Sequence, residues 1–269
     1  MKLNKKQLII LIVSASVLLT ALITLTVVLL TRDKKDTPER EVYAYGDFNY
    51  VLTDDGRVEI TKYNGNDDEV AIPTAIDSRS VVAIGDGAFL GNKLKKIGSE
   101  AFKSCMMLRE ATIPASVTTL GDGIFAGCSS LMKAVILTDI DVLGQSFFSS
   151  CALLGEVTLP KGLKEISRSA FHACASLSEI DIPEGVSIIG EAAFAYCHSL
   201  QTVTLPARLT SLGMSAFQGS GIVEIVIPSG VKEISGAAFG ECSSLAKITL
   251  PEGVTKIQNE AFYKCTKLT

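Results

Sequence analysis

The sequence predicts a repeat solenoid, a stack of short coils that each resemble the next, and three columns of residues predict it. Phe102, Phe125, Phe148, Phe171, Phe194, Phe217, Phe239 and Phe262 follow one another at 23 residues, with one interval of 22. Three residues after each stand Cys105, Cys128, Cys151, Cys174, Cys197, Ser220, Cys242 and Cys265. Pro114, Pro160, Pro183, Pro206, Pro228 and Pro251 keep the same interval, with Leu137 in the one other slot. Self-similarity at a fixed period of a few tens of residues is the signature of solenoids and arrays.

Composition narrows the function classes. The net charge is −4 with both signs interspersed, so there is no basic footprint for nucleic acid. There is no Trp and there are two His, which leaves little material for a centre built from imidazoles. The seven Cys are an odd number, so at least one has no partner within the chain.

The chain begins with a targeting element. Leu8 to Leu30 carry no charge over 23 positions, with only Ser14, Ser16, Thr20, Thr24 and Thr26 among the apolar residues. At about 1.5 Å per residue a helix of this length spans a hydrocarbon core of roughly 30 Å. A cleavable signal has an apolar stretch of about 7–15 residues and a small-x-small site after it. This run is longer and ends Thr26-Val27-Val28-Leu29-Leu30, without such a site. Residues 1–31 therefore read as an uncleaved membrane anchor, contacting the membrane through residues 8–30. The alternative is a cleaved signal and a secreted array. Lys and Arg flank the run about equally, so charge does not set its orientation. The export habit of single N-terminal anchors puts the rest of the chain outside the cell. Residues 32–41 are polar and read as a linker.

Residues 42–71 are expected to form a β-hairpin cap. Phe48 to Leu52 and Val58 to Lys62 flank a turn at Asp54-Asp55-Gly56. The array is placed at 72–269. An irregular unit opens it at Ile72-Pro73 and continues from Val81 to Phe89. Leu94 to Gly98 then fall in a shortened unit of 13 residues between Phe89 and Phe102.

One regular unit, Ala170 to Ile189, reads AFHACASLSEIDIPEGVSII. Leu177, Ile180 and Ile182 lead into a short strand with alternate side chains inward, and Pro183 ends it for want of an amide hydrogen. Val186 and Ile189 send a second short edge into the core, and Ala170-Phe171 forms a tight turn or a short helical or 3-10 corner. Each Phe should lie above the Phe of the next unit. No unit can bury its apolar stripe alone, so neighbours must stack. The chain stops at Thr269 within a unit, which reads either as a fragment or as a last rung covered by something else.

The IGxxAFxxCxxLxxIxIPxxVxxI unit closely resembles the BspA-type leucine-rich repeat of bacterial and protist surface proteins, over residues 72–269. The resemblance implies a curved right-handed horseshoe with a parallel sheet on one face. It also implies adhesion to host matrix proteins or to other cells. Leu137 in a Pro slot and the short Gly219-Ser220-Gly221 stretch depart from the pattern, and read as local irregularities.

The Cys column reads as buried free thiols, with disulfides between stacked neighbours or a metal site as alternatives. A spacing of 23 is unlike the close pairs of zinc sites. His172 and His198 fall in variable slots, and Gly85-Asp86-Gly87 and Gly121-Asp122-Gly123 read as turns. No catalytic set, cofactor site or metal site is expected, and the chain does not read as an enzyme. The outward strand column, Thr112, Val135, Thr158, Asp181, Thr204, Val226 and Thr249, makes a flat face of high β propensity. It is both a source of sheet stability and the candidate surface for a protein or glycan partner. A row of mixed charge flanks it: Glu110, Lys133, Glu156, Glu179, Thr202, Glu224 and Lys247. The function expected is a membrane-anchored extracellular binding or adhesion module. The alternative is an assembly element that stacks through uncapped repeat ends.

Overall fold

The computed structural model describes residues 40–65, 69–70, 73, 75–84, 88 and 95–269. The anchor at 1–31, most of the linker, and Ile72, Phe89 and Leu94 of the irregular unit lie outside the described residues. Among those described, no helix is long and apolar enough to cross a membrane. The chain divides into two units, Met1–Glu41 and the compact Val42–Thr269.

The compact unit begins with a small sheet. Tyr43–Tyr45, Phe48–Leu52 and Val58–Tyr63 pair antiparallel in that order. The turn between the last two is closed by Thr53, whose N–H donates to the Arg57 carbonyl at 2.8 Å, and by an ion pair between Asp55 and Arg57. Arg79–Ile84 then adds to Val58–Tyr63 in parallel, and Ala75–Ile76 covers its other edge. That parallel pairing turns the hairpin into the direction of the coils beyond it. Val58 and Ile60 are fully buried beneath it.

Most coils contribute two short strands, and two contribute only the second. The first ladder pairs Glu110–Ile113, Lys133–Ile136 and Glu156–Thr158 in parallel, with Glu110 beside Lys133 and Lys133 beside Glu156. It resumes at Glu224–Val226 and Lys247–Thr249. The second ladder runs without a break through Val142–Leu143, Glu165–Ile166, Ile188–Ile189 and Ser211–Leu212. It is present also at Glu69–Val70, Lys96–Ile97 and Thr119–Leu120, and at Glu233–Ile234 and Lys256–Ile257. Apart from Glu69–Lys96 and Val70–Ile97, which are 27 apart, each of these pairs joins residues 23 apart, so the sequence period is also the register of the sheets.

The corners correct one expectation. They are neither helical nor 3-10, but successive turns with two left-handed residues in each coil. Ser169 (φ 56°) and Ala173 (φ 58°) flank Phe171, and Ala192 (φ 53°) and Tyr196 (φ 61°) flank Phe194. A left-handed residue every fourth position breaks the run of φ that any right-handed helix needs. The amides accordingly divide by parity. Ser169, Phe171 and Ala173 donate to Glu191, Ala193 and Ala195 of the next coil at 2.8 Å each, whereas His172 and Cys174 donate back to Ser169 and Phe171 within their own. Backbone bonding between coils thus continues around the corner.

The core runs the length of the stack. Phe171 and Phe194 stack with ring centroids 5.1 Å apart and planes 3° from parallel, and Phe194 and Phe217 at 5.2 Å and 5°. Phe102 to Phe262 continue this spine in both directions. Phe147 adds an edge-on ring against Phe148. Leu177, Ile182, Val186 and Ile189 complete one buried layer.

The thiols are all free, six of them buried and Cys265 half-buried. They have a repeated partner. The Sγ of Cys128, Cys151, Cys174 and Cys197 donate to the carbonyls of Phe102, Phe125, Phe148 and Phe171 at 3.0 to 3.2 Å. Each of those carbonyls also accepts the amide of the Cys three residues on. A small side chain with one weak donor fills the slot and satisfies the second lone pair of a buried oxygen. Ser220 is the exception: its hydroxyl meets Cys242 Sγ at 3.4 Å, in the shortened coil.

Candidate functional site

Alternation along each first-ladder strand decides what faces out. Ile113, Ile136, Ile182 and Ile227 are buried, so the residue before each must point to solvent. Thr112, Thr158, Asp181, Thr204, Val226 and Thr249 are exposed and Val135 is half-buried. Thr112, Val135 and Thr158 are direct neighbours across the ladder, as are Val226 and Thr249. Asp181 and Thr204 are not in this relation. Their segments, Ile180–Ile182 and Val203–Leu205, belong to no ladder.

Two clefts open at that interruption. One of about 510 Å³ runs from Glu156, Val157 and Thr158 past Glu179 and Asp181 to Thr204. The other, of about 490 Å³, runs from Thr204 and Leu205 to Glu224, Val226 and Thr249. Both volumes lie in the range of ligand sites. Glu184, Ala207 and Ser229 also line them. Sequence reasoning placed none of the three on the face, reading Glu184 as solvated surface and missing Ala207 and Ser229, although each immediately follows a periodic Pro and forms a column of its own.

Charge is unevenly spread over this face. Lys133 and Glu156 form an ion pair across the ladder at 2.9 Å, both side chains exposed, and the hydrogen-bonded Glu156 raises the lysine's pKa. Exposed pairs of this kind contribute little to stability. Beyond it the first cleft is lined by Glu156, Glu179, Asp181 and Glu184 with no Lys or Arg. Lys247 enters only in the second. The mixed-sign row read from sequence therefore becomes locally acidic once folded.

The other residues weighed from sequence stay apart from this face. His172 and Tyr196 meet edge-on at 5.5 Å near the corner, and His198 Nδ1 lies 2.9 Å from the Gly219 carbonyl oxygen. Neither histidine meets a thiol as a nucleophile and base would. Among the described residues no three His, Cys, Asp or Glu side chains are grouped to hold a metal ion.

Known proteins resemble this chain in the same features. The BspA type leucine-rich repeat region matches residues 86–187 and 164–269, in six copies. The T. pallidum leucine-rich repeat protein is 28% identical, the likeness covering 85% of this chain and 91% of that one with a TM-score of 0.50. A leucine-rich repeat protein from Bacteroides ovatus is 25% identical, over 84% of this chain and 81% of that one, with a TM-score of 0.46. A leucine-rich cell surface protein from Faecalibacterium prausnitzii is 23% identical, over 87% of this chain and 88% of that one, with a TM-score of 0.35. No curated protein matches the chain. With the repeat matched from residue 86 to residue 269 and its Phe and Cys columns each given a structural role, the chain belongs to the BspA-type leucine-rich repeat family.

Proposed function

We propose that this is an extracellular protein-binding module, held at the cell membrane by residues 8–30, that takes its partner on the first-ladder face and serves in adhesion. The observation that carries it is the row from Thr112 to Thr249, a shallow exposed surface repeated over successive coils. Solenoids bind through extended surfaces of this kind. Membership of a leucine-rich repeat family supports binding to protein. The uncharged 23-residue run supports the anchor.

The test has two parts. Protease shaving of intact cells should release peptides from residues 42–269, and full protection of those peptides would refute the extracellular placement. The full-length chain should then bind members of a panel of immobilised matrix proteins. Replacing Thr112, Thr158 and Thr204 with Lys should abolish that binding without changing the melting temperature. Binding that survives the triple substitution would move the partner to another surface.

A further inference from the structure

The first ladder is interrupted where the second ladder, from Val142–Leu143 to Ser211–Leu212, and the Phe spine are continuous. Between Glu156–Thr158 and Glu224–Val226 two coils pass without joining it. Among the described residues, no backbone hydrogen bond links Glu156–Thr158 to Ile180–Ile182, or Ile180–Ile182 to Val203–Leu205. The same coils are closely bonded elsewhere. Just before the gap, the Ser176 amide donates to the Ala152 carbonyl at 3.0 Å, and the Ser199 amide to Ala175 at 3.1 Å. Ile166, Ile189 and Leu212 pair in the second ladder, and the Phe171–Phe194 stack is the tightest of the spine at 5.1 Å. The opening is confined to the strand segments.

Such an opening has a chemical consequence. Glu156–Thr158 bonds to Lys133–Val135 on one side, has no ladder partner on the other, and lines the 510 Å³ cleft. Backbone groups on an unpartnered edge must be met by water or by another chain. An open strand edge is a template for a further strand. The complementary array, alternating N–H and C=O along one line, belongs to an extended polypeptide and not to a sugar. Charge then specifies its side chains. Glu179, Asp181 and Glu184 line the cleft and enter no ion pair among the described residues.

Resting on the reading of this face as protein-binding, we propose that the interruption is a docking groove for an extended, basic polypeptide segment. The segment adds to the open edge of Glu156–Thr158 through main-chain hydrogen bonds and places Lys or Arg against Glu179 and Asp181. Main-chain bonding provides affinity in such strand addition, and side chains provide selectivity.

The experiment is a fluorescence anisotropy titration of a labelled, end-capped peptide of alternating Lys and Val with the full-length chain in detergent. A Glu–Val peptide and a Lys–Val peptide N-methylated at alternate amides serve as comparators. The Lys–Val peptide should bind, and the other two should bind at least about tenfold more weakly. Asp181→Lys should weaken it by a similar factor and Asp181→Asn by less, with circular dichroism unchanged in both. Equal binding of the N-methylated peptide would overturn the proposal, as would indifference to Asp181→Lys. The matrix-protein panel is run beside it. A silent peptide with face-dependent panel binding overturns the groove and leaves the binding module standing, whereas silence in both removes both.

Discussion

The thiol of Cys174 donates a 3.2 Å hydrogen bond to the carbonyl of Phe148, one coil earlier and 26 residues away in sequence. That oxygen already accepts the amide of Cys151, so the column of sulfurs is a column of second donors to buried carbonyls. Cys174→Ala leaves both a small void and an oxygen with one donor fewer. It should lower stability by about 1–3 kcal/mol, measured by urea unfolding. An unchanged midpoint would mean that the thiol bond contributes nothing.

Burial also predicts how these thiols titrate. Desolvation pushes Cys151 and Cys197 up to about 12, while an unfolded thiol sits near about 8.5. The folded state therefore holds its protons where the unfolded chain has lost them. This contribution to stability is fully present below about pH 8.5. It is lost as pH rises towards 12, at about 1.4 kcal/mol per pH unit for each such thiol. Urea midpoints should be level from neutral to weakly alkaline pH and then fall, and replacing Cys151 and Cys197 together with Ser should flatten the fall.

Reactivity should separate Cys265 from the rest. It is half-buried where the other six are buried, and its partial burial raises its thiol to about 11, below the value of about 12 at Cys151 and Cys197. Native alkylation with iodoacetamide, read by peptide mass, should modify Cys265 first. Early modification of Cys174 or Cys197 would contradict the packing of the core.

The left-handed corner slots should favour glycine. Gly127 and Gly219 occupy the slot that Ala173 fills in its own coil, all with positive φ. Ala173→Gly should stabilise by up to about 1 kcal/mol, because the left-handed penalty exceeds the entropic cost of glycine. At Gly213 the requirement is proximity instead. A Cβ there would lie 2.5 Å from the Glu191 amide nitrogen, so Gly213→Ala should cost about 1–3 kcal/mol. Thermal melts of the two variants should move in opposite directions.

The period of the sequence was enough to read the stack and the Phe spine, because each follows from which residues recur; the strand ahead of Pro forms at Glu110–Ile113 but not at Ile180–Ile182, where it was expected before Pro183. At the corner the tight-turn reading of Ala170-Phe171 holds and the helical or 3-10 one fails, although both residues have ordinary helical character. The left-handed φ at Ser169 and Ala173 arises from bonding to the next coil, which no single unit displays. The face column was legible from alternation around Ile180 and Ile182. The interruption was not, since Glu156-Val157-Thr158 and Glu179-Ile180-Asp181 have the same pattern of polar and apolar residues. Whether two such segments pair depends on how their coils sit against each other. Glu184, Ala207 and Ser229 were not placed on the face for a simpler reason: the position after a Pro carries no apolar signal.

Bonds between coils recur at fixed offsets near one turn, 22 residues from Phe171 to Ala193 and 26 from Cys174 to Phe148. Lys164 pairs with Asp141 across 23 positions, and the Thr210 hydroxyl bonds the Ser187 carbonyl across the same interval. What each residue requires is therefore set by an offset and not by an address. A gene segment encoding one whole turn can be copied or lost in the regular stretch without any remaining residue needing a new kind of partner. The loop that must close to form the next layer also keeps its length, and with it its entropic cost. The one 22-residue turn, at Gly219 to Gly221, shows the alternative. A change of a single residue shifts the offset, and the thiol column is interrupted at Ser220, whose hydroxyl meets a sulfur instead. Such a chain can vary its reach by whole layers while its local chemistry stays fixed.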